Sequence, residues 1–323
     1  MRHRPLGRTG LEVSELGYGA WGIGQTMWIG ADDAESLRAL HRAIELGVDF
    51  LDTALGYGDG HSERLVGQAV RESRETIHVA TKVPPKNGEW PAQDGVPADE
   101  TFPADWVVAC AEESLANLGL DTIDVLQFHV WSDEWVGQGD WLDAVERLKR
   151  DGTIRFFGVS INDHQPANAI RLVETGVVDT VQVIYNLFDQ SPEDELFPAV
   201  LDAGVGVIVR VPFDEGGLTG KIRPDTTFPE GDFRNRYFRG DRKQQVWDRT
   251  QAIAEAAGAP VDGIAEIALR FCLSHPAVST VIAGMRSVRN VEANARAVEA
   301  GPLDEAMLER LRTHRWERVF YGD

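Results

Sequence analysis

Four side chains whose chemistry suits a proton-coupled hydride transfer fall at or just beyond the ends of predicted strands. Asp52 ends one strand and Tyr57 follows it five residues later, while Lys82 and His129 close two further strands. Taken alone, each has a structural explanation: a turn former, a half-buried loop aromatic, a lysine paired with a carboxylate, and a satisfied core histidine. Together, a phenol, an ammonium, a carboxylate and an imidazole form a coherent acid relay, which favours catalysis.

The chemistry that this set supports is the reduction of a carbonyl group. A phenol with a pKa of about 10 is a poor acid or base at neutral pH, and a nearby cation lowers that pKa. Lys82 can supply the cation, and Asp52 can hold it in place. His129, hydrogen-bonded to the substrate oxygen, would orient the carbonyl and stabilise the charge that develops on it.

The elements that must position these residues follow a repeating pattern. Short runs rich in Val, Ile and Phe alternate with segments of helical period, which predicts repeated βα units and a parallel sheet. Eight strands are predicted, at residues 13–19, 48–53, 76–82, 123–129, 154–160, 178–184, 205–211 and 277–283. We therefore expect a single (β/α)8 TIM barrel over residues 1–323, with an N-terminal hairpin and with the catalytic residues on the face formed by the strand ends.

Helices are predicted between these strands, and several of them end in a glycine, as helix C-caps do. Their predicted ranges are 33–46, 62–71, 103–118, 141–150, 164–175, 193–203 and 263–274. Two longer segments rich in Pro, Gly and polar residues, 84–102 and 216–244, follow strands and are expected to shape a substrate or cofactor pocket. Plain surface decoration is the alternative for both segments.

Composition excludes several classes of partner. The chain carries 32 basic and 52 acidic residues, a net charge of -20, which argues against nucleic acid and against an anionic membrane surface. The start of the chain has no apolar signal segment, and no apolar run is long enough for a membrane span. The two cysteines lie in separate predicted helices, and neither HExxH nor HxH after the first strand occurs. We expect a cytoplasmic protein without a disulfide or metal site, and we leave its oligomeric state open.

The ordered motifs of the chain resemble the aldo-keto reductase superfamily, whose members reduce aldehydes and ketones with NADPH on a barrel. The resemblance covers nearly the whole chain. Within the superfamily, the chain is similar to the bacterial type, with the potassium-channel β subunit and general-stress-protein branches. It is carried by RPLGRTGLEVSELGYGAWGIG, DTALGYGDGHSE, ATK, LQFH, GVSIN, VQVIYN, VPFDEGGLTGK and VIAGMRSVRNVEAN.

This resemblance implies that Tyr57 is the general acid, that Lys82 and Asp52 tune it, and that His129 positions the carbonyl. It implies a small-molecule carbonyl substrate. Trp21, Trp90 and Trp131 fall on or near loops of the active face, so they are candidate substrate contacts beside Tyr57 and His129, with core packing as the alternative for each tryptophan. The cofactor contacts that it implies are Gly19, Ala20, Trp21, Asp52, Ser160, Asn162, Gln182, Arg210, Pro212, Phe213, Gly217, Leu218, Lys221, Gly284, Met285, Arg286, Asn290 and Asn294.

Some positions depart from the family pattern. Arg210 stands where an aromatic ring commonly stacks on the nicotinamide, and a fixed positive charge there would disfavour the oxidised cofactor. Ile161 stands where relatives often have an Asn that holds the carboxamide. Arg286 favours NADPH, because a guanidinium matches a 2'-phosphate well, whereas Ala293 and Asn290 leave NADH open as a second cofactor.

The sequence leaves two other functions open beside the reductase. One is an NADP-binding, redox-sensing regulatory subunit with little turnover, similar to the channel subunits. The other is a sugar or polyol dehydrogenase that works in oxidation with the same residues. The C-terminal segment RWERVFYGD either folds over the pocket or buries Phe320 and Tyr321 against the barrel.

Overall fold

Eight parallel strands form a closed barrel, and an antiparallel pair of strands precedes it. The computed structural model describes residues 1–321. Strand β10 pairs with both β3 and β9, which closes the barrel and confirms the predicted fold class. The strands are β1 His3–Pro5, β2 Glu12–Ser14, β3 Leu16–Gly19, β4 Phe50–Asp52, β5 His78–Val83, β6 Ile123–Phe128, β7 Ile154–Ser160, β8 Thr180–Ile184, β9 Gly206–Arg210 and β10 Val278–Gly284.

The segment predicted as one strand at 13–19 contains two. Its first part belongs to β2 of the hairpin, and its second part is β3 of the barrel. The chain changes direction at Glu15, whose buried carboxylate accepts hydrogen bonds from Arg2 at 2.8 Å and from Arg4 at 2.7 Å. The pattern of apolar residues at 13–19 gives no sign of this change of direction. The prediction of a single strand was therefore wrong here. The other seven predicted strands lie within two residues of the observed bounds.

Twelve helices are found in residues 1–321. They are α1 Asp33–Glu45, α2 His61–Glu72, α3 Ala98–Thr101, α4 Ala104–Leu118, α5 Trp141–Arg150, α6 Ile170–Thr175, α7 Leu196–Ala203, α8 Arg234–Tyr237, α9 Arg242–Ala257, α10 Ile264–Ser274, α11 Val288–Glu299 and α12 Glu305–Arg312. None of these helices has the length and apolar character needed to cross a membrane.

Local residue choices explain where several helices begin and end. Asp32 caps α1 by accepting from the Glu35 amide at 2.9 Å, and Gly119 ends α4 in the left-handed conformation. The helix predicted at 164–175 begins only at Ile170. The left-handed backbone of His164, with φ of 58°, and the turn at Pro166 stop the helix from starting earlier.

The apolar core has two parts, inside the barrel and between the barrel and its helices. Leu6, Leu11 and Val13 of the hairpin region pack with Phe50 and Ile208 and close the end of the barrel opposite the strand C-termini. A larger apolar layer joins the outer faces of the strands to the helices.

Close packing of α2 on α4 leaves no room for a side chain at one helical glycine. A Cβ on Gly67 would lie 2.0 Å from the carbonyl oxygen of Leu118. Although alanine is the better helix former, Gly67→Ala should lower the free energy of unfolding by about 1–3 kcal/mol, because the two helices would be forced apart. Urea denaturation measures the effect. Gln68→Ala, on the solvent side of the same turn, is the control, and equal stabilities of the two variants would contradict this packing.

Candidate active site

A buried ion pair lies at the centre of the predicted catalytic group. The ammonium of Lys82, fully buried on β5, is 2.5 Å from Oδ1 of Asp52 on β4. It also donates to the carbonyl oxygen of Thr53 at 2.7 Å and lies 3.4 Å from the hydroxyl of Tyr57. The loop after β4 therefore places a phenol directly beside a cation that a carboxylate and a carbonyl hold in position.

Two buried glutamines complete the surroundings of the Asp52 carboxylate. Its Oδ2 accepts from the side-chain amide of Gln182 at 2.8 Å and from that of Gln127 at 3.1 Å. The Gln182 amide also donates to Oε1 of Gln127 at 3.2 Å. Sequence reasoning assigned Gln182 to the cofactor and missed Gln127. The signal was present, because Gln127 lies on β6 two residues before His129, which directly follows the strand, and side chains two residues apart point to the same side.

Burial shifts the proton affinities of this group. Burial lowers the pKa of Lys82, but the attraction of Asp52 outweighs it and the net pKa is raised, so the ammonium stays charged. Burial also raises the pKa of Tyr57, and Lys82 offsets only part of that rise. The sequence argument that Lys82 lowers this pKa was therefore incomplete. Tyr57 keeps its proton at neutral pH.

His129 is a neutral imidazole at the mouth of the same site. Burial, Lys82 and Arg210 together hold the pKa of His129 well below its usual range. Its buried Nδ1 has no hydrogen-bond partner within residues 1–321. The His129 ring lies 5.5 Å from the Tyr57 ring, measured between centroids. The uncharged His129 imidazole can therefore donate a hydrogen bond from a ring N–H to a carbonyl oxygen that lies beside the protonated Tyr57 hydroxyl.

Two of the predicted aromatic contacts border this space and one does not. The Trp90 ring is 4.4 Å from His129, and the Trp21 ring is 6.3 Å from Tyr57. Trp131 is 0% exposed and packs edge-on against Trp135 and Trp141 in the core. Its placement behind the strand end gives it no surface toward a substrate.

Asn162 and Arg210 have partners that the sequence did not predict. The Asn162 side chain exchanges two hydrogen bonds of 3.1 Å with the backbone of Ala92, so it anchors the loop that carries Trp90 instead of facing a carboxamide. Arg210 donates to the Ile161 carbonyl and to Asp163, both at 2.8 Å. Asp163 offsets the positive charge that the sequence placed against the nicotinamide.

The segment after β9, residues 211–221, is called the cofactor loop below. It contains the predicted pyrophosphate contacts, of which Gly217 and Leu218 are buried and Lys221 is exposed. Gly217 makes room for the Asp214 side chain, because a Cβ on Gly217 would lie 2.7 Å from Oδ2 of Asp214. Backbone amides beside small residues, together with a lysine, are donors that suit a diphosphate.

The predicted adenosine contacts lie at the end of β10, in the turn that follows it and along the first turns of α11. Arg286 is half-buried and donates to the Ile29 carbonyl at 3.1 Å, while the buried Nδ2 of Asn294 has no partner in the part of the chain that is described. Gly284 is exposed beside them. These donors fit the adenine and phosphate end of a dinucleotide. Within residues 1–321, no group of His, Cys, Asp or Glu side chains is arranged to hold a metal ion.

A parallel barrel with a buried Asp–Lys pair beside a tyrosine is the architecture of a nicotinamide-dependent carbonyl oxidoreductase. Residues 15–315 match the aldo/keto reductase family, and the chain belongs to this family. Members of the family use nicotinamide cofactors, and the chain is accordingly an oxidoreductase acting on carbonyl or alcohol groups.

Relatives, two of them with solved structures, match nearly the whole chain. The holo form of an aldo-keto reductase from Bacillus halodurans is 30% identical, with a TM-score of 0.76 over 100% of this chain and 99% of that chain. A glycerol dehydrogenase from Gluconobacter oxydans is 27% identical, with a TM-score of 0.76 over 98% and 97%. The NADH-specific methylglyoxal reductase of Escherichia coli is 29% identical over 98% of this chain and 100% of its own length.

The ion pair generates a prediction about stability. Asp52→Asn leaves the buried Lys82 ammonium without its carboxylate and should lower the free energy of unfolding by about 3–5 kcal/mol in urea denaturation. Lys86→Met, which breaks a pair of exposed side chains 3.7 Å apart, is the control and should change stability little. A loss for Asp52→Asn no larger than that of the control would show that the pair does not organise the site.

Proposed function

We propose that this protein reduces aldehydes or ketones to alcohols with NADPH and that Tyr57 is the general acid. The observation that carries the proposal is the 3.4 Å contact between the Tyr57 hydroxyl and the Lys82 ammonium, beside a neutral His129. A protonated phenol next to a fixed cation can give up its proton at the moment when negative charge develops on the substrate oxygen.

The chain's own residues divide the work of the reaction. When bound, the nicotinamide supplies a hydride to the carbonyl carbon. Tyr57 transfers its proton to the carbonyl oxygen, so the C=O double bond becomes the C–O single bond of an alcohol with a new C–H and a new O–H bond, and Lys82 stabilises the phenolate that remains. His129 hydrogen-bonds the same oxygen and sets its direction, while Trp21 and Trp90 border the space for the rest of the substrate.

Arg286 supports the choice of NADPH. Its half-buried guanidinium lies just before α11, donates to the Ile29 carbonyl and lies 5.9 Å from the Trp28 ring, without an ion-paired carboxylate in residues 1–321. NADH remains an alternative cofactor, since Ala293 and Asn290 depart from the family pattern and the E. coli relative is named as NADH-specific. The small-molecule substrate would be a carbonyl compound with an apolar part, because aromatic rings line two sides of the site.

Oxidation of a polyol is the second candidate. The same groups run the reverse reaction once Tyr57 has lost its proton, and one structural relative is a glycerol dehydrogenase. The raised pKa of Tyr57 favours reduction at neutral pH, because the base form that oxidation needs is then scarce. Cofactor binding without any turnover would instead favour the regulatory role.

Removal of the phenolic hydroxyl is the sharpest test of the acid. Tyr57→Phe should lower kcat/KM for carbonyl reduction by about 10²- to 10⁴-fold, while the Kd for NADPH stays the same. Steady-state NADPH oxidation with a panel of aromatic aldehydes, diketones, short sugars and phosphorylated trioses measures it. Tyr18→Phe, which removes a buried hydroxyl without a partner in residues 1–321, is the matched control. Near-full activity in Tyr57→Phe would assign the acid elsewhere.

The cofactor assignment has its own test. Arg286→Met should weaken NADPH binding by about tenfold and leave NADH binding nearly unchanged, because only NADPH carries the 2'-phosphate. Fluorescence titration with each cofactor gives the two Kd values. Arg289→Met removes an exposed guanidinium from the first turn of α11, three residues after Arg286, and serves as the control. Equal losses for NADPH and NADH would show that Arg286 does not read the phosphate.

A further inference from the structure

The last residues of the described chain lie against the cofactor loop. Residues 313–321, called the C-terminal tail below, follow α12 and return over the active face. The Trp316 amide donates to the Phe188 carbonyl at 2.8 Å, which joins the tail to the loop after β8. Arg242 of α9 donates to the Phe320 carbonyl at 3.0 Å. Of the two outcomes that the sequence allowed for this segment, the structure shows both, since Phe320 is buried and Tyr321 reaches the active face.

The tail contacts two consecutive acids of the cofactor loop. The Arg318 guanidinium donates to Oδ1 of Asp214, which also accepts from the Tyr237 hydroxyl at 2.8 Å. The Tyr321 hydroxyl donates to Oε1 of Glu215. The Arg318–Asp214 pair is almost fully sequestered, with side chains 5% and 2% exposed, so neither charge is solvated if the other is removed.

The loop needs such support, because its backbone is strained. Val211, Asp214 and Glu215 have φ angles of 56°, 50° and 54°, in the left-handed region that side chains other than glycine avoid. Each such residue costs about 1–3 kcal/mol and persists only where surrounding contacts fix it. For Asp214 and Glu215, side-chain contacts of this kind come from the tail and from Tyr237.

The carboxylates of the cofactor loop also need compensation if the loop is to hold an anionic ligand. A loop that must hold a diphosphate carries two carboxylates of the same sign, which would repel the ligand. Arg318 neutralises Asp214. Glu215 faces Tyr321 of the tail, Asp214 of its own loop, Arg210 of β9 and Asp163 of the loop after β7, and burial raises its pKa to about 7. Much of the negative charge of the loop is thus removed before a cofactor arrives.

We propose that the C-terminal tail is a positioning element of the cofactor site, in which Arg318 and Tyr321 hold Asp214 and Glu215 in the conformation and charge state that admit an anionic dinucleotide. The inference rests on the proposed NADPH binding. Arg318 and Tyr321 are positioning residues, since they act on the cofactor through the loop. The dinucleotide binds more tightly because the loop is already ordered before binding, so less conformational entropy is lost.

The test compares two arginines of the same tail. Arg318→Met should raise the Kd for NADPH by about tenfold or more, because an uncompensated Asp214 carboxylate is left in the loop. Arg315→Met is the matched control, since Arg315 pairs with exposed Asp194 at 2.6 Å and does not contact the loop. Arg318→Lys should recover part of the affinity, and so should the double variant Asp214→Asn/Arg318→Met, which removes the unpaired charge.

A second readout does not depend on the cofactor. Amide hydrogen exchange across residues 211–221 should become faster in Arg318→Met and in Tyr321→Phe than in Arg315→Met, while the barrel strands keep their protection. Unchanged exchange in the loop, or an NADPH Kd for Arg318→Met equal to that of the control, would overturn the proposal. If the unmodified protein binds neither NADPH nor NADH, the proposed function fails, and the exchange comparison still decides the role of the tail.

Discussion

The contact between Lys82 and Asp52 is the interaction on which the active site depends. A lysine that is fully buried is expensive unless its charge is paired and its remaining protons are bonded. Here Asp52, the Thr53 carbonyl and the Tyr57 hydroxyl surround the ammonium, while Gln127 and Gln182 satisfy the far oxygen of the carboxylate. The barrel makes this possible by bringing four strand ends together, and Tyr57 acquires a fixed position as a result.

Burial has two opposite effects in this site. It strengthens the attraction between Lys82 and Asp52, yet it also raises the pKa of Tyr57 more than Lys82 lowers it. The same burial keeps His129 neutral. The division of roles follows from these directions: a protonated phenol donates the proton, and an uncharged imidazole orients the oxygen. Burial has a similar consequence in the cofactor loop, because its buried acids, Asp214 and Glu215, also need partners, which come from the C-terminal tail.

The barrel and the catalytic group could be predicted from the sequence because both depend on local patterns. Apolar runs of strand length fixed seven strands, and residues at strand ends of a parallel barrel must share one face. Partners that come from distant parts of the chain could not be predicted. Asn162 bonds Ala92, Arg210 bonds Asp163, and Arg318 bonds Asp214 across 104 positions. The burial of Trp131 could not be predicted either, because a tryptophan just after a strand can face the pocket or the core, and the sequence does not distinguish the two.

The most direct test of the account is the pH dependence of kcat/KM for the carbonyl substrate at saturating NADPH, which reports the ionising groups of the enzyme–cofactor complex and leaves out cofactor binding. Because the pKa of Tyr57 is raised, the acid form persists through neutral pH, so the account predicts a flat profile that falls only in the alkaline range as the phenol loses its proton. Because His129 is already neutral, no change should occur at the ordinary imidazole pKa of about 6.5. Activity that is lost as the pH rises through that value would identify an imidazolium as the proton donor and contradict the account.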